Sequence, residues 1–379
     1  MNLDDYRAGH YETQREYNSF IPTTISHDWI ISDPKLQQLL GDADRALGEL
    51  NAFSQLVPDI AFFIRTYVAK EATQSSRIEG TQTNIEDAFK DAADILPEGQ
   101  DDWAEVQNYI KAINYAIKGL ESLPLSNRLL RETHEVLMQG VRGKHKRPGE
   151  FRTSQNWIGV SLKNAVFVPP HHDHVNGLMS DMEKFLHDDR IILSPLIKIA
   201  IAHYQFETVH PFLDGNGRLG RLMISLYLAS EKLLAQPALY LSDYFERNKT
   251  AYVDHMMAVR EGNHMKEWLI FFLHGIKETA ASSIAVFRNI ITMKERIERE
   301  ILPRFSSRRQ ENVQILMKTL YSRPVIDVKA ATLLLGTTPN TASALITELV
   351  DYGILTEITM QRRNRLFMFG EYLGLFRGE

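Results

Sequence analysis

The chain has 379 residues, 44% apolar and 24% charged, an ordinary balance for a folded protein and enough for two or three domains. The absence of cysteine excludes disulfides, thiol nucleophiles and cysteine-ligated zinc, so chemistry must rest on histidine, carboxylates, hydroxyls or a metal they bind. A net charge of -5 argues against nucleic-acid binding over the whole surface. No unbroken apolar run suggests a membrane span or secretory signal, so a cytoplasmic protein with no membrane contact is expected.

Residues 1–35 are polar and aromatic, and Phe20-Ile21-Pro22 interrupts any helix, so an irregular arm over the domain behind is expected. Asp33-Pro34, a cap and a first-turn proline, opens a helix to about Phe53, and a longer one runs from Pro58-Asp59 to Glu79. Gly80 is a natural C-terminal cap. It places Glu79 in the last turn, where the helix dipole disfavours a negative charge and calls for a compensating cation. Thr83-Asn84 then predicts a helix to about Leu96, before the loop Pro97-Glu98-Gly99-Gln100.

Helices are expected over Trp103–Ser122 and, capped by Ser126, as far as Gln139. Between Gly140 and Gly149 a basic loop carries Arg142, Lys144, His145, Lys146 and Arg147, suited to an acidic partner or nucleic acid, although a solvated surface is the preferred reading. Phe151–Ile158 and Ala165–Val168 read as a hairpin whose edge can accept an extended segment, or which simply caps the bundle. His171-His172-Asp173-His174 has metal-ligating residue types, but the preferred reading is a surface loop with Asp173 capping the next helix. Leu196–Phe206 is helical, and His203 reads as a packed core residue.

The stretch His210-Pro211-Phe212-Leu213-Asp214-Gly215-Asn216-Gly217-Arg218-Leu219-Gly220-Arg221 joins that helix to another, Leu219–Lys232. Gly215 and Gly217 can take positive φ, so successive N–H groups at the second helix's start can form an anion nest reinforced by the helix dipole. Arg218 and Arg221, three residues apart, can reach one phosphate chain. Asp214 offers a carboxylate to Mg²⁺, and a neutral His210 can take a proton from a hydroxyl. Residues Gly215 to Gly220 also satisfy the three-glycine dinucleotide pattern, which is rejected because a helix, not a strand, precedes it.

His210 to Arg221 resembles the Fic family signature H-P-F-x-D/E-G-N-G-R-x-x-R, with every position filled. The resemblance implies transfer of AMP from ATP to a Ser, Thr or Tyr hydroxyl of a protein. It implies His210 as base, Asp214 as Mg²⁺ ligand, and Asn216 with the nest from Gly215 and Gly217 through Leu219 and Gly220 on the α- and β-phosphates. Arg218 and Arg221 would hold the β- and γ-phosphates, and Phe212 would anchor the loop. Ser75 to Gly80 is similar to the family's inhibitory S/T-x-x-x-E-G/N, which implies that Glu79 pairs with Arg221. The hairpin is implied as the flap that docks the target protein. Tyr252, in a helix over about Asn248–Arg260, becomes the aromatic candidate against adenine.

Lys266–Gly275 and Glu278–Ile301 read as helices, the second a connector ending at Pro303. Beyond it come helices Gln310–Leu320, Val328–Leu335 and Asn340–Tyr352, then strands Leu355–Ile358 and Leu366–Phe369 around Arg362, Arg363 and Arg365, an order resembling a winged helix-turn-helix. Asn340, Thr341, Ser343 and the wing arginines would meet DNA. The recognition helix is nearly uncharged, and docking of a protein is an equal alternative.

The expected fold is all-α. An N-terminal arm and inhibitory region (1–100) precedes a Fic-type helical core with a small β-hairpin flap (101–276), a helical connector (277–305) and a C-terminal winged helix-turn-helix (306–379). The expected function is protein adenylyltransferase, using ATP and Mg²⁺ and autoinhibited by Glu79. The alternatives are removal of AMP from a modified protein and a nucleotide-sensing DNA-binding regulator. Expected partners are a target protein at the flap, DNA at the winged helix and a second copy of the chain in a homodimer.

Overall fold

The computed structural model describes residues 1–57, 59–140, 145–359 and 364–377. Helices α1 (Pro34–Leu56) and α2 (Ile60–Ile78) follow their sequence signals closely: Asp33 caps α1 by accepting from Leu36 N, and Glu79 closes α2 as its C-cap. Pro58, the expected start of the second helix, lies outside the described residues. Helices α3 (Gln100–Gly119) and α4 (Asn127–Leu137, capped by Ser126) come next, then α5 (His172–His187), α6 (Pro195–Val209) and α7 (Asn216–Ser230). Every residue of α6 from Leu196 to Val209 is buried, so this helix, enclosed on all sides, forms the axis of the domain. Helices α8 (Ser242–Arg247), α9 (Lys249–Gly262) and α10 (Met265–Arg296) close the bundle.

The stretch Met265–Arg304 is long and apolar enough to cross a membrane, which the sequence reading overlooked; half of its most apolar window is buried. Trp268, Phe272, Ile276 and Phe287 face the core, and the Trp268 indole N–H donates to Ala200 O in α6 at 2.9 Å. A core helix is thus apolar enough to mimic a span.

The two helices expected over Lys266–Gly275 and Glu278–Ile301 are the single α10, unbroken at Gly275, and three further expectations need correction. Residues 1–35 are not an irregular arm: strands β1 (Gly9–Thr13) and β2 (Asn18–Pro22) form an antiparallel hairpin, and Phe20 N donates to Val168 O at 3.0 Å beside the flap. The helix expected from Thr83 to Leu96 is a chain of single 3₁₀ turns, although Asn84 does cap its first turn by accepting from Asp87 N at 2.8 Å. Side chains of α3 take its carbonyls instead: Trp103 Nε1 donates to Asp87 O and Gln107 Nε2 to Ala88 O, at 3.0 and 2.8 Å. The flap is also smaller than expected, with β3 only Ile158–Gly159 against β4, Ala165–Phe167. Phe151–Trp157 is not a strand, because its polar side chains turn inward to bond the loop after α6.

The three helices and two strands expected at the C-terminus are present in that order, with one unexpected strand, β5, among them: α11 (Ser307–Leu320), β5 (Val325–Asp327), α12 (Val328–Leu335), α13 (Pro339–Asp351), β6 (Thr356–Glu357) and β7 (Leu366–Met368). The antiparallel sheet has the order β5-β7-β6. Asp327 caps α12, Gly336 ends it at φ 57°, and Thr338 caps α13. Arg362 and Arg363 of the wing, like Arg142 and Lys144 of the basic loop, lie outside the described residues, while Arg365 is paired with Glu357.

A last helix, α14 (Gly370–Arg377), has no counterpart in the sequence reading. It carries Tyr372, Leu373 and Phe376 into the core, where Tyr372 Oη lies 3.1 Å from Thr66 Oγ1 of α2 and 2.9 Å from Tyr321 O. Aromatic contacts between Phe63 and Tyr321 and between Tyr67 and Phe376 complete the junction, with ring centroids 5.3 and 5.0 Å apart.

Candidate active site

His210 ends α6 in a left-handed conformation, φ 49° and ψ 61°, which turns the chain sharply into the loop. A non-glycine residue there needs support from its surroundings. Arg152 supplies it: Nε donates to His210 O at 2.9 Å, while Nη2 donates to Val209 O and Pro170 O at 3.2 and 2.6 Å. Asn156 Nδ2 donates to the carbonyls of His210 and Phe212, at 3.0 and 2.8 Å.

The loop is fixed from within as well. Asn216 accepts from Phe212 N through Oδ1 and donates to Phe212 O through Nδ2, both at 2.8 Å. The motif asparagine, expected at the phosphates, thus spends its side chain closing the loop and is 1% exposed. Phe212 is buried as the resemblance implied and stacks on His134, with centroids 3.8 Å apart. His134 Nδ1 accepts from Gly149 N at 2.9 Å, so Nε2 carries the hydrogen and donates to Asp214 O, also at 2.9 Å. Burial lowers the His134 pKa to about 4, which keeps this tautomer neutral.

Of the two glycines expected at positive φ, only Gly215 adopts it, at 74°. Gly217 is already helical, and its need is for space: a Cβ there would run into the Glu79 carboxylate and come within 2.9 Å of Arg221 Nη1. The first N–H groups of α7 lack intrahelical partners by geometry and lie at the cavity floor.

A cavity of about 620 Å³ brings the expected residues together. His210, Asp214, Gly215, Asn216, Gly217, Arg218, Arg221 and Tyr252 line it with Glu79; Ser75, Leu219 and Gly220 stand behind the wall. Arg221 Nη2 donates to Glu79 Oε1 at 2.6 Å, and its Nε and Nη2 donate to Ser75 Oγ and Ser75 O, both at 2.9 Å. Burial raises the Glu79 carboxyl pKa, but Arg221 outweighs it and the net shift is downward. The Glu79 side chain keeps 42% of its surface exposed.

Arg218 is held by Glu105 of α3, Nη1 to Oε2 at 3.1 Å, a partner with no motif to announce it. Its only sequence signal is a carboxylate on a helix face that, Asn108 apart, is otherwise apolar, with Val106, Tyr109 and Ala112 beside it. Lys249, also missed, donates to Ile78 O at the end of α2 at 2.6 Å. Asp214 is 44% exposed at its side chain, and its Oδ1 accepts from Gly215 N at 2.6 Å. An exposed carboxylate on a cavity whose arginines and N–H groups suit phosphates is a fitting ligand for Mg²⁺, which takes one or two such oxygens alongside phosphates.

His210 leans on Glu207, with Nδ1 3.4 Å from Glu207 O and 3.9 Å from Oε2. Burial lowers the His210 pKa to about 4, so the imidazole is neutral at pH 7 and free to accept a proton. Tyr252 is 5% exposed, with one face stacked on Phe245 at 4.4 Å and its hydroxyl 2.8 Å from His203 Nε2. His203 is the buried core residue expected, its Nδ1 2.9 Å from Gly220 O.

Asp173 does not cap α5, since His171 is the N-cap and makes no side-chain cap bond. Asp173 lies in the first turn, 3.1 Å from His171 Nδ1 and 3.6 Å from His172 Nε2. In the C-terminal module, Asn340 and Thr341 are exposed at the start of α13 and Ser343 is half-buried.

Residues 37–118 match the N-terminal region of the Fic/DOC family, and residues 124–228 match the Fic/DOC domain itself. Protein adenylyltransferase fic-1 of Caenorhabditis briggsae is 33% identical over 110 residues, 26% of this chain and 20% of that protein. Protein adenylyltransferase Fic of Drosophila erecta is 31% identical over 112 residues, 27% and 21% of the two chains. The match spans about a fifth of the length of these curated relatives. In structure, a Fic family protein from Desulfovibrio desulfuricans G20 superposes with a TM-score of 0.57 at 19% identity, over 90% of this chain and 98% of that one. A Fic domain containing signaling protein from Bacteroides thetaiotaomicron VPI-5482 gives 0.50 at 16% identity, over 66% and 94%. These two likenesses speak for the fold alone.

Proposed function

Because this chain belongs to the Fic/DOC family, we propose that it is a protein adenylyltransferase that moves AMP from ATP to a hydroxyl of a target protein and is restrained by Glu79. The observation that carries this reading is the cavity where His210, Asp214 and Arg218 stand ready while Glu79 holds Arg221.

The target oxygen attacks the α-phosphorus, a new O–P bond forms, and the bond to the bridging oxygen breaks as pyrophosphate leaves. The hydroxyl proton passes to Nε2 of the neutral His210. Arg218, steadied by Glu105, and Arg221, once released by Glu79, hold the phosphates that become the leaving group. Asp214 is the residue that would hold Mg²⁺, which neutralises phosphate charge when bound. The flap suits a target segment: Val160 and Val166 are 92% and 64% exposed, with Trp157 beside them at 42%.

One observation favours a second reading, removal of AMP from a modified protein. The half-exposed Glu79 carboxylate faces the same cavity as His210 and can position a water there.

Incubation with α-labelled and γ-labelled ATP separates these readings. Label fixed to protein from the α position alone supports transfer, whereas label from γ alone indicates a kinase. Release of AMP from a modified protein without fixation of α-label supports the second reading. His210→Ala is expected to lower transfer by about 100-fold or more while ATP affinity stays within a few-fold, because imidazole moves the proton and does not hold phosphate. Retained activity would remove His210 from its role.

A further inference from the structure

We propose that Glu207 is the positioning residue for the base: its carboxylate steadies the Nδ1–H of His210 and carries the counter-charge when the imidazole takes the target's proton. This rests on the reading of His210 as proton acceptor in AMP transfer.

Glu207 sits one turn before His210 on α6, with Oε2 3.9 Å from His210 Nδ1 and its backbone carbonyl 3.4 Å from the same atom. Two acceptors on that side favour the tautomer with hydrogen on Nδ1. The lone pair then lies on Nε2, where the hydroxyl proton must go.

The carboxylate is also costly to keep. Glu207 is 7% exposed, and its Oε1 has no hydrogen-bond partner. A buried carboxylate with an open acceptor destabilises the fold unless something else is gained. The neighbouring helix leaves room for it, since a Cβ at Gly220 would collide with Oε1 and come within 3.1 Å of the carboxyl carbon. This assigns the last motif glycine to housing Glu207.

The charged and titratable groups facing Glu207 are Arg221, Glu79, Arg260, His210 and Tyr252. Burial raises its pKa to about 7, with Glu79 adding to the rise and both arginines opposing it. Near neutral pH the carboxyl is therefore close to ionising, and displacement of Glu79 moves it toward the ionised form that the imidazolium needs.

The step balances. The target O–H bond breaks, its proton binds Nε2, and the oxygen's electron pair forms the bond to phosphorus. The bridging P–O pair leaves with pyrophosphate. Nδ1 keeps its own hydrogen, donated to Glu207 Oε2 as the gap closes to hydrogen-bond length. The pairing of imidazolium with carboxylate follows the logic of the acid in a serine–histidine–aspartate triad.

The test uses the full chain carrying Glu79→Gly, to remove restraint, with α-labelled ATP and automodification as readout. Glu207→Gln in that parent is expected to lower kcat by about 30-fold or more, with KM for ATP unchanged within about threefold. Glu207→Asp, which keeps the charge, should recover part of the loss. The parent's kcat should also fall on acidification, with a midpoint below the value of about 7 that Glu207 has when Glu79 is present, and Glu207→Gln should remove that limb of the profile. Equal kcat in the Gln variant and the parent, or a loss confined to KM, would overturn the inference alone. No α-label in the parent would overturn the AMP-transfer reading and this inference with it.

Discussion

Arg221 gives three hydrogen bonds to the end of a single helix, with Ser75 Oγ, Ser75 O and Glu79 Oε1 all accepting from it. That answers the charge left by the end of α2, which called for a cation, and it occupies the guanidinium that the proposed mechanism gives to the leaving phosphates. Glu79→Gly should raise automodification at least about tenfold, since each factor of ten corresponds to about 1.4 kcal/mol and a charge-assisted pair supplies that much. Arg221→Ala should not reproduce the gain, because it removes the phosphate's anchor along with the inhibitor's. Equal activity in wild type and Glu79→Gly would reduce Glu79 to a helix-end charge.

Buried histidines set a second residue-scale expectation. His134, His203 and His210 have pKa values lowered to about 4, 3 and 4 by burial, from an ordinary 6.5. Below 6.5 the unfolded chain binds protons that the folded chain refuses, so stability falls as pH drops toward 4. Each histidine contributes about 1.4 kcal/mol per pH unit over that window. Glu207 acts in the opposite sense, since its raised pKa stabilises the fold at low pH and loses that effect as pH rises from 4.5 to about 7. From these four groups the net slope is about 3 kcal/mol per unit between pH 6.5 and 4.5. Urea midpoints at pH 7 and pH 5 measure it, and a flat profile would contradict the burial of these rings as neutral species.

At the scale of elements, what the sequence made legible was whatever is announced locally. Asp33, Ser126, Asp327 and Thr338 each cap the helix that was expected to start beside them. The motif loop between α6 and α7 could be read because its residue types are tied to chemistry. The segment before the flap could not. Phe151 to Trp157 reads locally as a strand, yet Arg152 and Asn156 look inward, their side chains donating to the carbonyls of Val209, His210 and Phe212 while Arg152 N donates to Pro211 O. The same local view hid α14, eight residues opening at a glycine and held by aromatic contacts that come from far along the chain. Arg152→Lys should cost about 3 kcal/mol or more, since an ammonium cannot reproduce the fork that serves His210, Val209, Pro170 and Ser154. Thermal unfolding together with transfer activity checks this, and an unchanged Tm would mean that water replaces the fork.

Across the whole molecule, α2 belongs to two neighbourhoods. Its first half packs against Tyr321, Tyr372 and Phe376 of the C-terminal module, and its last turn reaches Arg221. Further ties bind Arg323 to Asp91 at 3.1 Å and Arg377 to Glu86. The C-terminal module therefore shares a core with α2, not only a connector with it.

A helix gripped at both ends has a phase as well as a position. Each residue turns it by about 100° and advances it by about 1.5 Å, so the grip on Thr66 and the grip on Glu79 agree only for the present count of residues between them. One alanine inserted between Ala72 and Thr73 should swing Ser75 and Glu79 off Arg221 while Phe63, Thr66 and Tyr67 keep their places. The expected product is folded, with the automodification of the Glu79→Gly variant, and unchanged restraint would show that the helix bends to absorb the step. Read this way, α2 behaves as a keyed shaft: a twist imposed at its C-terminal-module end arrives at the arginine as a change of angle.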